Sequence, residues 1–410
     1  KGAAVHVEAE VRNTLTSHFD GNLLLTIEQD GEPLVQSART VCAPLSLGRV
    51  SVDTVLPSAH RWDLKSPFLY HAKLSLCSGS STVDSAVERF GIRTIGTRNG
   101  KILLNGRPLV VKGFNRYDEI GGFGPTVPEQ VIRKDLLKIK ESGANLVRVH
   151  YPQSTLHHAI MDEIGLLLIE EVPLNWWRAA WHKPVPPEFQ NLSIIDEAER
   201  ALSIMVKRDR NHPCLIVWSM CNESRTDDEL GIAAMRRMIK TARALDSTRL
   251  ITFAVPGGTT SHAAFADADI VCTNIYYGLF FDDLALSVKE LKSKVFTPSR
   301  DALEKMLSGF PGKPLLVTEF GTHALAGVHG KNRFSEEYQA GYLKAVWKAI
   351  RGVKGVAGGV VWAWADYHHR RNYLPEAVMF SGMMAPYGVV TVDRKPKKAF
   401  EAIKRMWRAF

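Results

Sequence analysis

Two glutamates close two of the apolar runs of this sequence, Glu223 in "CLIVWSMCNES" (214–224) and Glu319 in "PLLVTEFG" (314–321). A buried strand that stops abruptly at an amide and an acid is a rigid mount for polar side chains at a rim. Two carboxyl groups that face one another beside aromatic side chains are the apparatus of glycoside hydrolysis. One acid stays protonated near neutral pH and donates to the leaving oxygen, while the other stays ionised and attacks the anomeric carbon. Asn222, on the same strand as Glu223, offers an amide to the sugar hydroxyl beside the reacting carbon, where hydrogen bonds strengthen in the transition state.

For the two acids to meet, the strands that carry them must end at one face of one sheet. Eight short apolar runs alternate with amphipathic or loop sequence after residue 96: "LVVKGFN" near 109, "NLVRVHYP" near 145, "LLLIEEVP" near 166, "LIVWSMCNE" near 215, "LITFAV" near 250, "DIVCTNIYY" near 269, "PLLVTEFG" near 314 and "GGVVWAWADY" near 358. Buried parallel strands read as such runs, and eight of them close naturally into a (β/α)8 TIM barrel. Between them, "EQVIRKDLLKIKESG" spaces Val131, Leu136 and Ile139 as a helix does and stops at Gly143, the position of a C′ glycine. Such a barrel builds its active site at the carboxyl ends of its strands. Those ends are polar here: Asn115, Arg116, Tyr117 and Asp118; Arg148, His150 and Tyr151; Glu170 and Glu171; Asn222 and Glu223; Asn274, Tyr276 and Tyr277; Glu319; Trp362, Trp364 and Asp366. Glu223 follows the fourth strand and Glu319 the seventh, across the mouth from one another.

The first 95 residues have another texture. Alternating segments such as "AVHVEAEVRN", "GNLLLTIEQD" and "LYHAKLSLCS", punctuated by Gly, Asp, Ser and Pro, predict an all-β immunoglobulin-like sandwich over 1–95, followed by the α/β barrel over 96–410. A hydrophobic share of 45% and a charged share of 23% place the chain among globular proteins. No run approaches the roughly 18 apolar residues of a membrane span, and nothing at the start resembles a signal peptide, so the compartment is left open. The net charge of +9 comes from Lys and Arg scattered through helical segments, which points to a basic surface and not to a nucleic-acid stripe. Cys42, Cys77, Cys214, Cys221 and Cys272 form no CxxC and no metal spacing and are expected as buried free thiols. His157 and His158, at a helix start, are expected at the surface or in capping. Trp176, Trp177 and Trp181, in a Pro-rich loop after the third strand, are expected either to wall a sugar pocket or to pack the loop.

The segments "NHPCLIVWSMCNES" and "KPLLVTEFGTHALAGVH", then "FSEEYQ" and "VVTVDRKPKKAF", resemble glycoside hydrolase family 2, on the β-glucuronidase side of that family. The resemblance covers the barrel throughout and the sandwich more weakly. It implies a retaining exo-β-glycosidase that works by double displacement without a cofactor or metal, with Glu223 as acid/base and Glu319 as nucleophile. It further implies that Tyr276 hydrogen-bonds the nucleophile, that Asn222 and Asn274 contact the sugar, that Trp362 forms part of the sugar platform, and that Arg148 and His150 line the floor beside Glu319. The implied partner is a carbohydrate substrate, with no nucleic acid and no membrane, and assembly into a homo-oligomer is open.

Two departures stand out. Family members carry an N-terminal jelly-roll domain ahead of the sandwich, and this chain begins at the sandwich. Glucuronidases also grip the substrate carboxylate with an Asn-x-Lys pair and an upstream arginine, and "FSGMMAPYGVVTVDRKP" places Ala385, Tyr387 and Ser381 there. A buried uronate without a cation is costly, so a neutral pyranoside, galactoside first, is expected. A β-glucuronidase that holds the carboxylate through Arg370 or Arg371 of "HHRR" is the alternative, and a non-catalytic carbohydrate-binding protein is another.

Overall fold

The computed structural model describes residues 2–29, 31–179, 191–280, 283–368 and 384–408. They divide into two compact units, Lys1–Arg93 with Asn211–Pro213, and Thr94–Arg210 with Cys214–Phe410.

In the first unit six antiparallel strands follow in order: β1 (Ala3–Arg12), β2 (Phe19–Gln29), β3 (Glu32–Cys42), β4 (Leu47–Leu56), β5 (Tyr70–Ser78) and β6 (Ser81–Phe90). β1 pairs with β4, and the remaining four form a sheet in the order β3-β2-β5-β6. Along β4 exposed and buried residues alternate from Arg49 to Leu56, the period-two pattern of a strand with one wet face. Leu23, Leu25 and Ile27 of β2 meet Val50, Val52 and Leu56 of β4 and Tyr70 of β5 in one core.

The second unit opens with a small antiparallel sheet of β7 (Ile95–Arg98), β8 (Lys101–Leu104) and β9 (Arg107–Leu109). Then comes the barrel: β10 (Val111–Asn115), β11 (Leu146–Arg148), β12 (Leu167–Glu171), β13 (Leu215–Asn222), β14 (Leu250–Pro256), β15 (Val271–Asn274), β16 (Leu315–Phe320) and β17 (Val356–Val361), closed by pairing of β10 with β17. All eight apolar runs are therefore barrel strands. Every residue of β13 is buried, because the barrel interior takes one face and the helical layer the other; each of its Leu, Ile and Val side chains contributes about 1.5–3 kcal/mol of burial.

Among the described residues the α-helices are α1 (Glu129–Glu141), α2 (Thr155–Ile164), α3 (Ser193–Asp209), α4 (Glu229–Leu245), α5 (Thr297–Gly309), α6 (Glu336–Gly352) and α7 (Lys398–Arg408). α1 ends as its sequence predicts, with Gly143 at φ +91°. Its buried face is Ile132, Asp135, Leu136 and Ile139, one residue out of phase with the expected Val131. Asp228 caps α4 by accepting from the Gly231 amide at 2.9 Å. Between β14 and β15 the described chain makes a single 3-10 turn, Ala263–Ala266, in place of a full helix. The five cysteines are free and buried.

Candidate active site

The polar rim predicted at the strand ends is real, and two irregularities of the barrel aim its glutamates. Between β13 and β14 the register runs from Ser219↔Thr252 to Asn222↔Ala254, so β13 holds one extra residue just before Glu223. Between β15 and β16 it runs from Thr273↔Val317 to Asn274↔Glu319, with the extra residue in β16 just before Glu319. A bulge beside an active site re-aims the side chain that follows it. Glu223 itself sits at φ +47°, in the left-handed region that non-glycine residues rarely adopt, and its amide is held by the Ala254 carbonyl at 2.8 Å. Beyond Glu319, Gly321 lets β16 approach β17: a Cβ there would lie 1.9 Å from the Trp362 carbonyl oxygen. Trp362 donates its amide to the Phe320 carbonyl at 2.8 Å and precedes a cis peptide bond to Ala363.

Arg148, at the end of β11, organises the floor. Its Nη1 donates to Glu319 Oε1 at 2.8 Å and to Asn115 Oδ1 at 2.9 Å; its Nη2 donates to Glu171 Oε2 at 2.8 Å and to Asn222 Oδ1 at 2.9 Å. Burial works against this guanidinium, but the charges of Glu171 and Glu319 outweigh it and hold the proton above the ordinary arginine range. His150 lies between the same two carboxylates, 2.8 Å from Glu171 Oε1 through Nδ1 and 3.4 Å from Glu319 Oε1 through Nε2. Tyr276 donates its hydroxyl to Glu319 Oε2 at 2.7 Å. Both oxygens of Glu319 are thus oriented by donors suited to an anionic acceptor.

Glu223 is treated oppositely. Burial, followed by the charge of Glu319, raises its carboxyl from the ordinary 4.5 to about 7. Asn274 Nδ2, donating to Oε1 at 2.8 Å, and Trp176 Nε1, donating to Oε2 at 3.0 Å, oppose that rise. Asn274 also donates to Asn222 Oδ1 at 3.0 Å and accepts from the Thr318 hydroxyl at 2.7 Å, which ties the two glutamate strands together. A carboxyl held as the acid beside a second one whose two oxygens are each gripped by donors is the arrangement of a general acid and its partner.

An aromatic wall stands beside Glu319. Trp362, Tyr367, Tyr387, Ala385 and Leu279 pack with Tyr117, Tyr276 and Phe280. Trp362 lies 5.1 Å from the His150 ring and donates Nε1 to the Tyr367 hydroxyl at 3.2 Å. Tyr387 stacks on Tyr367 at 6.4 Å and lies 4.0 Å from the His323 ring. The buried ammonium of Lys397 is engaged by Asp366 Oδ1 and the Ala324 carbonyl, each at 2.7 Å. Arg370, Arg371, Ser381 and Trp181 lie outside the described residues.

Every other site residue read from the sequence is therefore at this rim: Glu223, Glu319, Asn222, Asn274, Tyr276, Arg148, His150 and Trp362. Two that carry weight here were missed as site residues. Glu171 ends its strand like the rest and is flagged by the doubled acid in "IEEVP"; burial pushes its carboxyl up, but the Arg148 charge and hydrogen bonds from His150 and Ser219 hold it down at about 2. Trp176, read as a pocket wall or a loop filler, stands beside Glu223 and donates to it. His157 and His158, expected at the surface or in capping, are not at the surface: both are buried, and their Nδ1 atoms reach Ser154 at the start of α2, at 2.9 and 3.1 Å. His157 pairs with Asp118 at 2.9 Å and His158 with Glu170 at 3.0 Å, both inside the fold. Among the described residues, His158, Glu170 and Asp209 lie close enough to share a metal ion, but Arg208 already spans both oxygens of Asp209 at 2.7 Å.

A parallel eight-stranded barrel with paired glutamates at its mouth defines the class, and the sequence comparisons name it. Residues 95–410 match the TIM barrel domain of glycosyl hydrolases family 2, and residues 1–93 match a second domain of glycosyl hydrolases family 2. The chain belongs to this family. It is similar to a β-glucuronidase from Streptococcus agalactiae, 28% identical over 364 residues that cover 86% of this chain and 59% of the relative. A β-glucuronidase from Paenibacillus borealis is 29% identical over 360 residues, 85% of this chain and 58% of the relative. The chain thus spans under two thirds of the length of these relatives. Among solved structures it resembles a family 2 β-galacturonidase from Eisenbergiella tayi bound to galacturonate, with a TM-score of 0.86 and 26% identity over 99% of this chain and 69% of the other.

Proposed function

We propose that the chain is the catalytic part of a retaining exo-β-glycosidase that removes terminal non-reducing β-linked sugars, with β-glucuronides as the leading substrate class. The observation that carries the reading is the pair of glutamates at the barrel mouth: Glu223 is raised to about 7 by burial and by the charge of Glu319, and Glu319 accepts from Arg148 and Tyr276. In the first step a Glu319 oxygen bonds to the anomeric carbon, the glycosidic C–O bond breaks, and the Glu223 proton passes to the departing oxygen. In the second step Glu223, now a carboxylate, takes a proton from water as the water oxygen displaces Glu319. Once Glu319 is esterified its charge is gone, and with it one of the two causes that raise Glu223. The acid of the first step thereby becomes the better-ionised base of the second. Trp362 and the tyrosines beside it supply an apolar wall with polar tips, suited to a pyranose ring.

The glucuronide class is supported by the relatives and neighbours, which are named as β-glucuronidases and a β-galacturonidase. A neutral pyranoside such as a β-galactoside is the second reading. It is favoured by Ala385 and Tyr387, uncharged and buried in the aromatic wall where the resemblance would put the carboxylate grip. Initial rates on 4-nitrophenyl β-glucuronide, β-galacturonide and β-galactoside, with Glu319→Gln as the blank, decide between them. A uronide preference supports the first reading and a galactoside preference the second. Rates equal to the blank on all three would overturn both readings and point to another sugar.

A further inference from the structure

We propose that Trp176 is a positioning residue for proton transfer: its indole N–H, donated to Oε2 of Glu223, aims the carboxyl and limits how tightly that group holds its proton. The inference rests on the reading of Glu223 as acid/base.

The geometry is specified from several directions. The segment after β12 is stitched to the segment after β13: Asn222 N donates to the Leu174 carbonyl and Trp176 N to the Asn222 carbonyl, both at 3.0 Å. Trp177 N donates to Ser224 Oγ at 3.1 Å, and Arg225 N donates to the Trp177 carbonyl at 2.8 Å. Arg178 then grips both oxygens of Asp228, at 3.0 and 2.6 Å, and Asp228 caps α4. Trp176 sits at φ +58°. A tryptophan keeps such a conformation only where its surroundings over-determine it. The indole and the carboxyl therefore hang from one hydrogen-bonded frame, and their 3.0 Å contact is a designed distance in that frame.

The chemistry of the contact has a sign. An indole N–H only donates, so it favours the ionised carboxylate over the neutral acid. Asn274 does the same at the other oxygen. Against these two stand burial and the negative charge of Glu319 from β16. Among the described residues, the other charged or titratable groups that face Glu223 include Arg148 from β11, which also favours the anion, and Tyr276 beyond β15, whose hydroxyl is committed to Glu319. With the two N–H donors in place the acid is strong enough to give up its proton and to return as a base; with Trp176 removed, it binds the proton more tightly.

Trp176→Phe deletes the N–H and keeps most of the ring. The test is the pH profile of kcat/KM on an alkyl glycoside, whose poor leaving group demands the acid, using the sugar that the wild type turns over. The basic limb, set by ionisation of Glu223, should move up by about one pH unit. Trp176→Ala should show the same displaced limb with an additional rise in KM. A limb that overlays the wild type, or moves down, overturns the proposal even when kcat falls, because a merely structural role lowers the rate without moving the limb. Glu223→Gln is the control for the underlying reading: if it keeps wild-type activity on the alkyl glycoside, the acid/base assignment itself is wrong, whatever Trp176→Phe does.

Discussion

Glu223→Gln should make the barrel more resistant to unfolding at alkaline pH than at acid pH, relative to wild type. In the unfolded chain Glu223 releases its proton near the ordinary 4.5, and in the native barrel near about 7. The native state therefore holds a proton that the unfolded state has lost throughout that window. Its stabilising effect is complete below pH 4.5, declines as the pH rises through 7, and is absent above pH 8. A carboxyl raised from 4.5 to about 7 is worth about 3 kcal/mol before any discount for the contact that Glu223 keeps with solvent. Glutamine has no proton to lose, so the variant lacks this decline. Whatever constant cost arises from placing its amide against Asn274 and Trp176 cancels in the comparison across pH. Urea unfolding followed by tryptophan fluorescence suits the barrel, since eight of the nine tryptophans, all but Trp62, lie after residue 95. The stability difference, variant minus wild type, should grow between pH 4.5 and 7 and then level off. A difference that is flat in pH, or that grows toward acid, refutes the account of why Glu223 is raised.

Arg148→Met should destabilise the barrel by about 3–5 kcal/mol, because it leaves the buried Glu171 and Glu319 facing one another without their cation; the same urea titration at pH 7 reads it. Tyr276→Phe removes the hydroxyl from Glu319 Oε2. It should lower kcat about 10- to 100-fold while the thermal midpoint stays within a few degrees of wild type, checked by steady-state kinetics and a melt.

How much of this was legible in the sequence follows from where each partner lies. Barrel strands buried on both faces read as unbroken apolar runs, so all eight and their polar ends stand out in the sequence. Glu223 and Glu319 stand out with them. The helix that is missing between Leu250–Pro256 and Val271–Asn274 and the one-residue phase error at Val131 are local matters that tertiary packing decides. His157 and His158 look like surface residues because the acids that receive them, Asp118 and Glu170, lie 39 and 12 residues away in the chain. The two bulges that aim the glutamates depend on the register of neighbouring strands, which no single strand encodes. Trp176 sits in an irregular loop, where neither period nor motif reveals the direction of a side chain.

Glu319 as nucleophile and Glu223 as acid/base of a double displacement are distinguishable by which variant a small anion rescues. The most direct measurement is azide rescue of Glu319→Gly with an activated β-glycoside, with the anomeric configuration of the glycosyl azide assigned by proton NMR. Azide should restore turnover in this variant and yield the α-glycosyl azide, because the anion attacks from the face that Glu319 has vacated. Rescue of Glu223→Gly with that α-product, and none at position 319, would contradict it and exchange the two roles.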